Sequence, residues 1–471
     1  MSVLVLSNAA VMLLFGLFIG AEALVFPDIR EPFFEAFALL VATGLFLGVA
    51  SWRPVNSLSR RHTFLLTSSV WFTAGMAGAL PLWLWQLAPA DAIFESFSGL
   101  TTTGSTVMSG LDQTPLGVLL WRALLQGFGG IGFVVTGMAL LPFLGAGGMQ
   151  LFRSESSDKG EKEFGTARLV AGSTLSVYLV LIALCALTYR LGGMGGFDAV
   201  THALTTLSTG GFSNYDASFG HFQSGFLQWA AVVFMVLGGL PFAWYVRALH
   251  RGEFASEQVT MLLKTLAVVI VAMAAWLAWT TGRGIEDALR TVAFNVVSVV
   301  TTTGYATEDF LLWGPFAVAM FFFLMAMGGC TGSTAGGAKM MRWVILFRSV
   351  KASLRRIRSP HGVFPVRYEG LPVSEDVRLG VASFFTFFVL TIGLMAVALA
   401  LAGLDFDTAL SGALTAVTNV GPGVGDIIGP AGNFAPLSAL SKLILSFGMY
   451  VGRLEMLTVY VLFTPNFWRE I

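Results

Sequence analysis

The sequence predicts an all-α polytopic membrane protein, and three observations lead to this prediction. Of its 471 residues, 55% are hydrophobic and 11% are charged, whereas an ordinary soluble domain is about 25% charged. Long apolar runs recur along the chain, and they lack the period-two alternation of barrel strands. Lipid offers the backbone no hydrogen-bond partners, so spanning segments without that alternation must be helices. These properties exclude a soluble globular enzyme.

The charge and cysteine content exclude further classes of function. The 27 basic residues balance the 27 acidic ones, so no excess of positive charge indicates a nucleic-acid partner. Two cysteines, Cys185 and Cys330, lie in separate apolar segments and cannot form a disulfide framework or a CxxC metal site. The function must therefore come from the membrane domain.

Ten apolar runs are read as spanning helices, since a span needs about 20 mostly apolar residues. They lie at about 3–26, 33–52, 64–86, 117–144, 169–193, 223–247, 259–281, 313–329, 379–403 and 434–463. An even number of spans places both termini on the same side of the membrane.

The distribution of positive charge predicts the orientation. Basic clusters occupy the linkers 51–63, 247–264 and 339–358, which are therefore assigned to the cytoplasm. The stretches 87–116, 194–222 and 405–436 contain acids but no Lys or Arg, and are assigned to the outside. Both termini are then cytoplasmic.

A short segment between spans occurs four times and aligns without gaps. The copies are FESFSGLTTTGST at 94–106, THALTTLSTGGFS at 201–213, FNVVSVVTTTGYA at 294–306 and SGALTAVTNVGPG at 411–423. Hydroxyl residues stand six and three positions before a shared glycine, and an Asp lies about one half-helix upstream. The glycines are Gly104, Gly211, Gly304 and Gly421; the hydroxyl residues are Ser98, Thr205, Ser298 and Thr415, then Thr101, Ser208, Thr301 and Thr418; the acids are Asp91, Asp198, Asp287 and Asp407.

The repeat predicts a unit of span, half-helix, Thr/Gly strand and span. Two additional N-terminal helices (1–62) precede repeat 1 (63–150), repeat 2 (151–252), repeat 3 (253–358) and repeat 4 (359–471). Irregular backbone at membrane depth is tolerated where it is buried in protein or lines a cavity. We therefore expect the four strands to surround one pseudo-fourfold pore.

The residue types in the strands indicate which ion would pass. Glycine permits conformations that turn carbonyl oxygens inward, and small hydroxyl side chains add oxygen without bulk. Neutral oxygens suit a monovalent alkali cation, whereas rings of Asp or Glu would suit divalent cations and Arg or Lys would suit anions. One Thr/Gly segment alone is usually a turn, so it is the fourfold recurrence that favours a pore.

The segment Thr301-Thr302-Thr303-Gly304-Tyr305 resembles the filter signature of potassium channels. The whole chain is similar to the Trk/Ktr/HKT superfamily of potassium transporters, specifically its bacterial TrkH-type branch. The two additional N-terminal helices agree with that branch, as do GGCTGSTAGGAK at 328–339 and GRLE at 452–455. The resemblance covers nearly the whole chain.

The resemblance implies potassium uptake through a selectivity filter of backbone carbonyls in a bacterial inner membrane. The potassium-coordinating residues would be Thr102, Thr103, Gly104, Thr209, Gly210, Gly211, Thr302, Thr303, Gly304, Asn419, Val420 and Gly421. The resemblance implies potassium selectivity, because Gly104 matches the glycine of potassium-selective family members. A serine at this position would suggest transport of sodium. The fourth strand departs most from the pattern, and Gly210 replaces a threonine in the second, so selectivity could be looser.

The resemblance also implies partners. These are a second copy in a homodimer, membrane lipid, and a cytoplasmic nucleotide-binding ring of the TrkA type docking near 348–358 and 153–168. Potassium is the transported substrate; the chain itself has no nucleotide motif and no bound cofactor is expected.

The segment 328–339 would interrupt the inner helix of repeat 3, because it holds five glycines and three hydroxyl residues. Glycine costs about 1 kcal/mol relative to alanine in a helix, so a loop beneath the filter is expected. The resemblance implies that this loop is the gate, formed by Gly328, Gly329, Gly332, Ser333, Thr334, Gly336, Gly337 and Lys339, together with Arg453.

Two intramembrane arginines stand out, since a charge within a span indicates function by default. Arg453 could pair with loop carbonyls near 332–336 or with Glu455, or could merely satisfy a helix end. Arg122 lies nearer the outer end of its run, where its side chain could equally reach the interface.

Two other kinds of transporter and one class of enzyme share some of these features. An alternating-access transporter of a small solute would also have broken helices and small residues, and a less selective monovalent cation (sodium) transporter would share the repeat. A membrane enzyme needs catalytic carboxylates, His or Cys clustered at one depth, and the intramembrane charges are isolated. The chain is therefore predicted not to be an enzyme.

Overall fold

The computed structural model describes residues 2–52, 60–140 and 167–469. Within these ranges the regular secondary structure is helical apart from one hairpin of two two-residue strands, which confirms the prediction of an all-α fold. The predicted segment 153–168 and the linker 51–63 lie largely outside the described residues.

Two helices precede the repeats and pack closely along each other. They are α1 (Ser2–Val25) and α2 (Arg30–Ala50). A Cβ atom on Gly20 of α1 would stand 2.7 Å from the ring of Phe37 on α2, so glycine is required for this approach. The pair forms the predicted N-terminal addition to the repeats.

The remaining helices form four copies of one unit: an outer helix, a half-helix, a loop and an inner helix. The outer helices are α3 (Arg60–Trp85), α6 (Ala167–Leu191), α10 (Glu257–Thr281) and α14 (Glu375–Leu401). The half-helices are α4 (Pro89–Leu100), α7 (Gly196–Leu207), α11 (Ile285–Val300) and α15 (Phe406–Thr418). The inner helices are α5 (Leu116–Leu140), α8 (Gly225–Gly238) with α9 (Phe242–Arg251), α12 (Pro315–Met325) with α13 (Met340–Arg358), and α16 (Ala439–Arg453) with α17 (Met456–Tyr460), after which α18 (Pro465–Trp468) follows.

The half-helices are too short to cross a membrane. They contain 12 to 16 residues, which at 1.5 Å per residue is about 18–24 Å against a hydrocarbon core of about 30 Å. Each carries its predicted Asp in the first turn, where the positive end of the helix dipole stabilises a carboxylate. The opposite, partially negative end of each half-helix leads directly into the Thr/Gly strand.

Three of the four inner helices are interrupted. The α8–α9 pair bends by 89° and the α16–α17 pair, with the turn after it, by 108°. In repeat 3, α12 ends at Met325 and α13 begins at Met340, so the predicted break across 328–339 is found. The described part of α5, by contrast, is one continuous helix.

The ten predicted runs differ in the length of the helices that they contain. Among the described residues, six helices are long and apolar enough to cross a membrane, or up to eight when each bent pair counts as one. The predicted run 313–329 contains only the 11-residue α12, because the glycine-rich loop follows. The linker 339–358 is itself a helix, α13, since MMRWVILF gives it an apolar face that packs against the protein.

A short hairpin, β1 (Arg367–Tyr368) and β2 (Leu371–Pro372), lies between α13 and α14. Glu369 and Gly370 at its tip have φ of 48° and 78°, as a type I′ turn requires. The Glu369 carboxylate accepts a 2.6 Å hydrogen bond from the amide of Glu257, the first residue of α10. The hairpin thereby caps that helix.

Candidate functional site

The four Thr/Gly strands contact one another in a closed ring that follows chain order. The shared glycine of each strand lies against a carbonyl oxygen of the next: Gly104 against Gly210, Gly211 against Thr303, Gly304 against Val420, and Gly421 against Thr103. A Cβ atom at any of these glycines would collide with that oxygen; even the widest gap, at Gly421, would be 2.9 Å. Close approach between neighbouring strands therefore requires glycine at all four positions.

The four strands also share one backbone conformation. The residue two positions before each shared glycine has φ between 52° and 58°, and the glycine itself has φ between 73° and 113°. The residues at the first position are Thr102, Thr209, Thr302 and Asn419. A β-branched residue is a genuine outlier there, whereas asparagine tolerates it well, so the departure at Asn419 preserves the geometry.

The hydroxyl residue six positions before the glycine joins the half-helix to its strand. The Ser98 and Ser298 hydroxyls donate to the carbonyls of Ser105 and Tyr305, at 2.5 and 2.7 Å. Their own carbonyls accept from the amides of Thr103 and Thr303 at 2.8 Å. The other two copies differ in detail: Thr205 bonds the Tyr305 hydroxyl at 2.5 Å, and Thr415 accepts from the Gly421 amide at 3.0 Å.

A second position on the half-helices holds the far end of each strand, and sequence reasoning missed it. Glu95, His202 and Asn295 occupy the same place in the alignment, and each hydrogen-bonds a residue at the end of its strand: Thr106, Ser213 and Thr307 at 2.9, 3.1 and 2.9 Å. In repeat 4 the place is Gly412, and the adjacent Ser411 bonds Val424 at 2.8 Å instead. Polar side chains in one column of three buried half-helices were the available signal.

Glu95 and Arg122 form a buried ion pair behind strands 1 and 2. Their side chains are 0% and 2% exposed and lie 2.8 Å apart. Glu95 also accepts from the Val107 amide at 2.9 Å, and Arg122 donates to the Ser213 carbonyl at 2.9 Å. The guanidinium lies 4.1 Å from the ring centroid of Phe212. The Arg122 side chain is therefore buried in the protein and does not extend to the membrane–water interface. It connects Glu95 of repeat 1 to Ser213 of repeat 2.

The segment that follows strand 2 extends this network. His202 lies 2.9 Å from the Asp198 carbonyl, which can only accept, so Nδ1 carries the proton and Nε2 accepts from the Ser213 hydroxyl. The Tyr215 hydroxyl donates to the Asp198 carboxylate at 2.9 Å. Burial, followed by this carboxylate, raises the pKa of Tyr215 to about 12, so the phenol keeps the proton that it donates.

The glycine-rich loop of repeat 3 lies directly against the ring. The Gly336 amide donates to the Thr302 hydroxyl at 2.7 Å, and the Gly337 amide to the Thr418 carbonyl at 2.9 Å. The Thr334 hydroxyl lies 3.2 Å from that of Thr209. The loop is thus bonded to strands 2 and 3 and to the last residue of half-helix α15, which leads into strand 4. It contains all eight of the predicted loop residues, and Gly328, Gly332, Gly337 and Lys339 among them have positive φ.

Arg453 holds this loop from the inner helix of repeat 4. Its guanidinium is buried and donates to the Thr334 carbonyl at 2.7 Å and to the Gly129 carbonyl at 3.1 Å. Of the partners considered from the sequence, the loop carbonyls are therefore the ones found. Glu455 pairs instead with Arg342, at 2.8 Å, just beneath the loop. The Lys339 ammonium donates to the Ala335 carbonyl within the loop.

Apolar helices long enough to span a membrane, half-helices too short to cross it and a closed ring of oxygen-rich strands define a multi-pass membrane transport protein. The chain belongs to the TrkH family, whose sequence model is described as "Cation transport protein" and matches residues 29–272 and 254–470. Membership of a transport family confirms that the protein is not an enzyme.

Proteins that are similar to this chain along nearly its whole length agree with this family assignment. The "Trk system potassium uptake protein TrkI" of Halomonas elongata is 45% identical over 98% of this chain and 96% of its own. The "Trk system potassium uptake protein TrkH" of Escherichia coli K12 is 34% identical over 96% and 95%. The crystal structure of "the Potassium Transporter TrkH from Vibrio parahaemolyticus" superposes with a TM-score of 0.91 at 30% identity, covering 100% of both chains.

Proposed function

We propose that this protein takes up potassium across the bacterial inner membrane through the ring of four strands. The observation that carries the proposal is the closed ring itself, in which four equivalent glycines lie against four carbonyl oxygens. Potassium would be coordinated mainly by backbone oxygens of residues 102–104, 209–211, 302–304 and 419–421. The two similar Trk proteins and the similar solved structure are all named for potassium transport.

The electrostatics of the ring favour a monovalent cation. The strands contain no carboxylate and no basic residue, so neutral oxygens are the ligands available. Four half-helices direct their C-terminal, partially negative ends at the ring. Neutral ligands in a diffuse negative field suit the weakly hydrated potassium ion better than a divalent ion.

The loop of repeat 3 is proposed as the gate. It crosses beneath the ring, and its hydrogen bonds to strands 2 and 3 and to the end of half-helix α15 hold it there. Arg453 places a buried positive charge on its Thr334 carbonyl, which opposes the passage of cations. Opening then requires that these bonds break together.

The proposed assembly includes partners. The chain would form a homodimer in the inner membrane with both termini in the cytoplasm, as the basic linkers indicate. A nucleotide-binding ring of the TrkA type would dock on the basic end of α13, where Lys351, Arg355, Arg356 and Arg358 are exposed. That helix begins at the gating loop, so a force on its far end would reach the gate through a rigid element.

The function is tested by cation flux into liposomes that contain the purified protein, with potassium, rubidium, sodium and lithium compared. Wild type is expected to pass potassium and rubidium selectively. In Gly104→Ser, the new Cβ collides with the Gly210 carbonyl, strand 2 must shift, and the potassium-to-sodium ratio should fall.

Gly284→Ser is the matched control, because a Cβ there meets nothing within 4 Å and serine suits the position before α11. Its flux and selectivity should equal those of wild type. Equal passage of all four ions through wild type, or no cation flux at all, would contradict the proposal and favour a solute transporter.

A further inference from the structure

The second strand has a glycine, Gly210, where strands 1 and 3 have Thr103 and Thr303. The space of the missing side chain is not empty, since the fully buried side chain of Gln126 on α5 fills it. A Cβ on Gly210 would collide with the Gln126 side chain, lying 2.7 Å from its Nε2. An amide from repeat 1 therefore occupies the position of a threonine in repeat 2.

Gln126 makes two hydrogen bonds to strand 2, one on each side of the shared glycine Gly211. Its Nε2 donates to the Gly210 carbonyl at 2.7 Å, and its Oε1 accepts from the Phe212 amide at 3.0 Å. The Gly210 carbonyl is also the oxygen against which Gly104 of strand 1 lies. One side chain thus fixes the contact between strands 1 and 2.

In strands 1 and 3 the threonine at this place bonds a hydroxyl group of its own repeat. The Thr103 hydroxyl bonds that of Thr101 at 2.8 Å, and the Thr303 hydroxyl bonds that of Thr301 at 2.9 Å. In repeat 2, Ser208 stands at the place of Thr101 and Thr301 but donates to the Thr205 carbonyl at 3.2 Å. Position 210 of strand 2 has no hydroxyl group to make the local bond, and Gln126 supports the strand there instead.

We propose that Gln126 is a positioning residue for the second filter strand and a determinant of selectivity among monovalent cations. The proposal rests on the ring being the potassium filter. Without Gln126, a buried carbonyl and a buried amide lose their partners, and glycine at 210 is free to rotate its peptide groups. The oxygens of strand 2 would then leave the positions that match the potassium ion.

Three variants test the role. Gln126→Met keeps the shape of the side chain and removes both hydrogen bonds; we expect its potassium-to-sodium flux ratio in liposomes to fall roughly tenfold, the effect of losing hydrogen bonds to buried groups. Gly210→Thr should lower the ratio through collision with Gln126. The double variant Gln126→Ala/Gly210→Thr should have a higher potassium-to-sodium flux ratio than Gln126→Met or Gly210→Thr. The reason is that the introduced threonine hydroxyl can bond Ser208 as Thr103 bonds Thr101.

Gln228→Met is the matched control, since Gln228 is a buried glutamine that donates to the Phe222 carbonyl at 3.1 Å, away from the ring. Its thermal stability can fall, but its flux ratio should equal that of wild type. The proposal is overturned if wild type is potassium-selective and Gln126→Met has the same potassium-to-sodium flux ratio. It is also overturned if the flux ratio of the double variant is no higher than those of Gln126→Met and Gly210→Thr. Wild type without selectivity would overturn the filter itself, which is a distinct result.

Discussion

The backbone amide of Gly336 donates a 2.7 Å hydrogen bond to the hydroxyl of Thr302, so the loop of repeat 3 is bonded directly to the third strand of the ring. Both residues are buried, and 34 positions separate them in the chain. The residue that adopts the positive φ in the strand is thus the same one that holds the loop. The proposed filter and the proposed gate share this residue.

Thr302→Val should raise basal potassium flux without changing selectivity. Valine keeps the β-branched shape but cannot accept from the Gly336 amide, and an unsatisfied buried amide costs about 1–3 kcal/mol. The closed loop is destabilised by that amount, so flux should rise by about 5- to 150-fold. Thr302→Ser retains the acceptor and should behave as wild type in the same liposome assay. Equal flux from the valine and serine variants would count against the gate.

Arg453→Met should open the loop further. It removes the donors to the Thr334 and Gly129 carbonyls and the buried positive charge; bonds to charged groups are worth about 1.5–3 kcal/mol each. Basal flux should increase at least about tenfold. Arg453→Lys keeps the charge but loses the planar guanidinium that donates to two carbonyls at once. Its basal flux should lie between those of wild type and Arg453→Met. Unchanged flux in the methionine variant, with lower thermal stability, would make Arg453 purely structural.

Glu95→Gln should destabilise the protein strongly, because it leaves the Arg122 charge buried and uncompensated. Breaking a buried pair from one side costs about 3–5 kcal/mol, and the Tm in detergent should fall accordingly. Glu95→Gln/Arg122→Met removes both charges and should recover most of the loss. If the loss in Tm of the double variant equals the sum of the losses in Glu95→Gln and Arg122→Met alone, the two residues act independently.

Charge reversal at Arg355, Arg356 and Arg358 should weaken binding of a TrkA-type ring at least about tenfold near physiological salt, since attraction between oppositely charged surfaces is lost. The potassium flux of the protein alone should remain. Charge reversal at Arg283 and Arg290 is the control. Arg283 pairs with Glu308 in the loop after strand 3, and Arg290 pairs with Asp287 at the start of α11. The docking proposal fails if the affinity of the ring is the same for both variants.

Several features followed from local pattern. Four aligned segments predicted four half-helices with an Asp in the first turn, and all four are present. The glycines of 328–339 predicted the interruption between α12 and α13. These predictions succeeded because helix length, dipole and glycine content act within a few residues of one another. The helix in the run 313–329 has only 11 residues for the same reason: the breaking residues begin inside the run.

Other features depend on partners that local pattern does not record. Gln126 meets Gly210 across 84 positions, and Asn419 donates to the Thr103 hydroxyl across 316 at 2.9 Å. Arg122 has an apolar sequence environment, and its ion pair with Glu95 exists because α4 and α5 pack side by side. Which side chain satisfies a buried polar group is a matter of distance between elements, and spacing along the chain does not contain that distance.

The sequence alone therefore specified a helical membrane protein with four glycine-bearing strands, since apolar length and backbone freedom are properties of short segments. Folding specified that the strands close into a ring, that the loop bonds to two of them and to the end of a half-helix, and that an amide from one repeat completes the strand of another. Buried donors and acceptors must find partners wherever packing brings them together, and packing is a property of the whole chain.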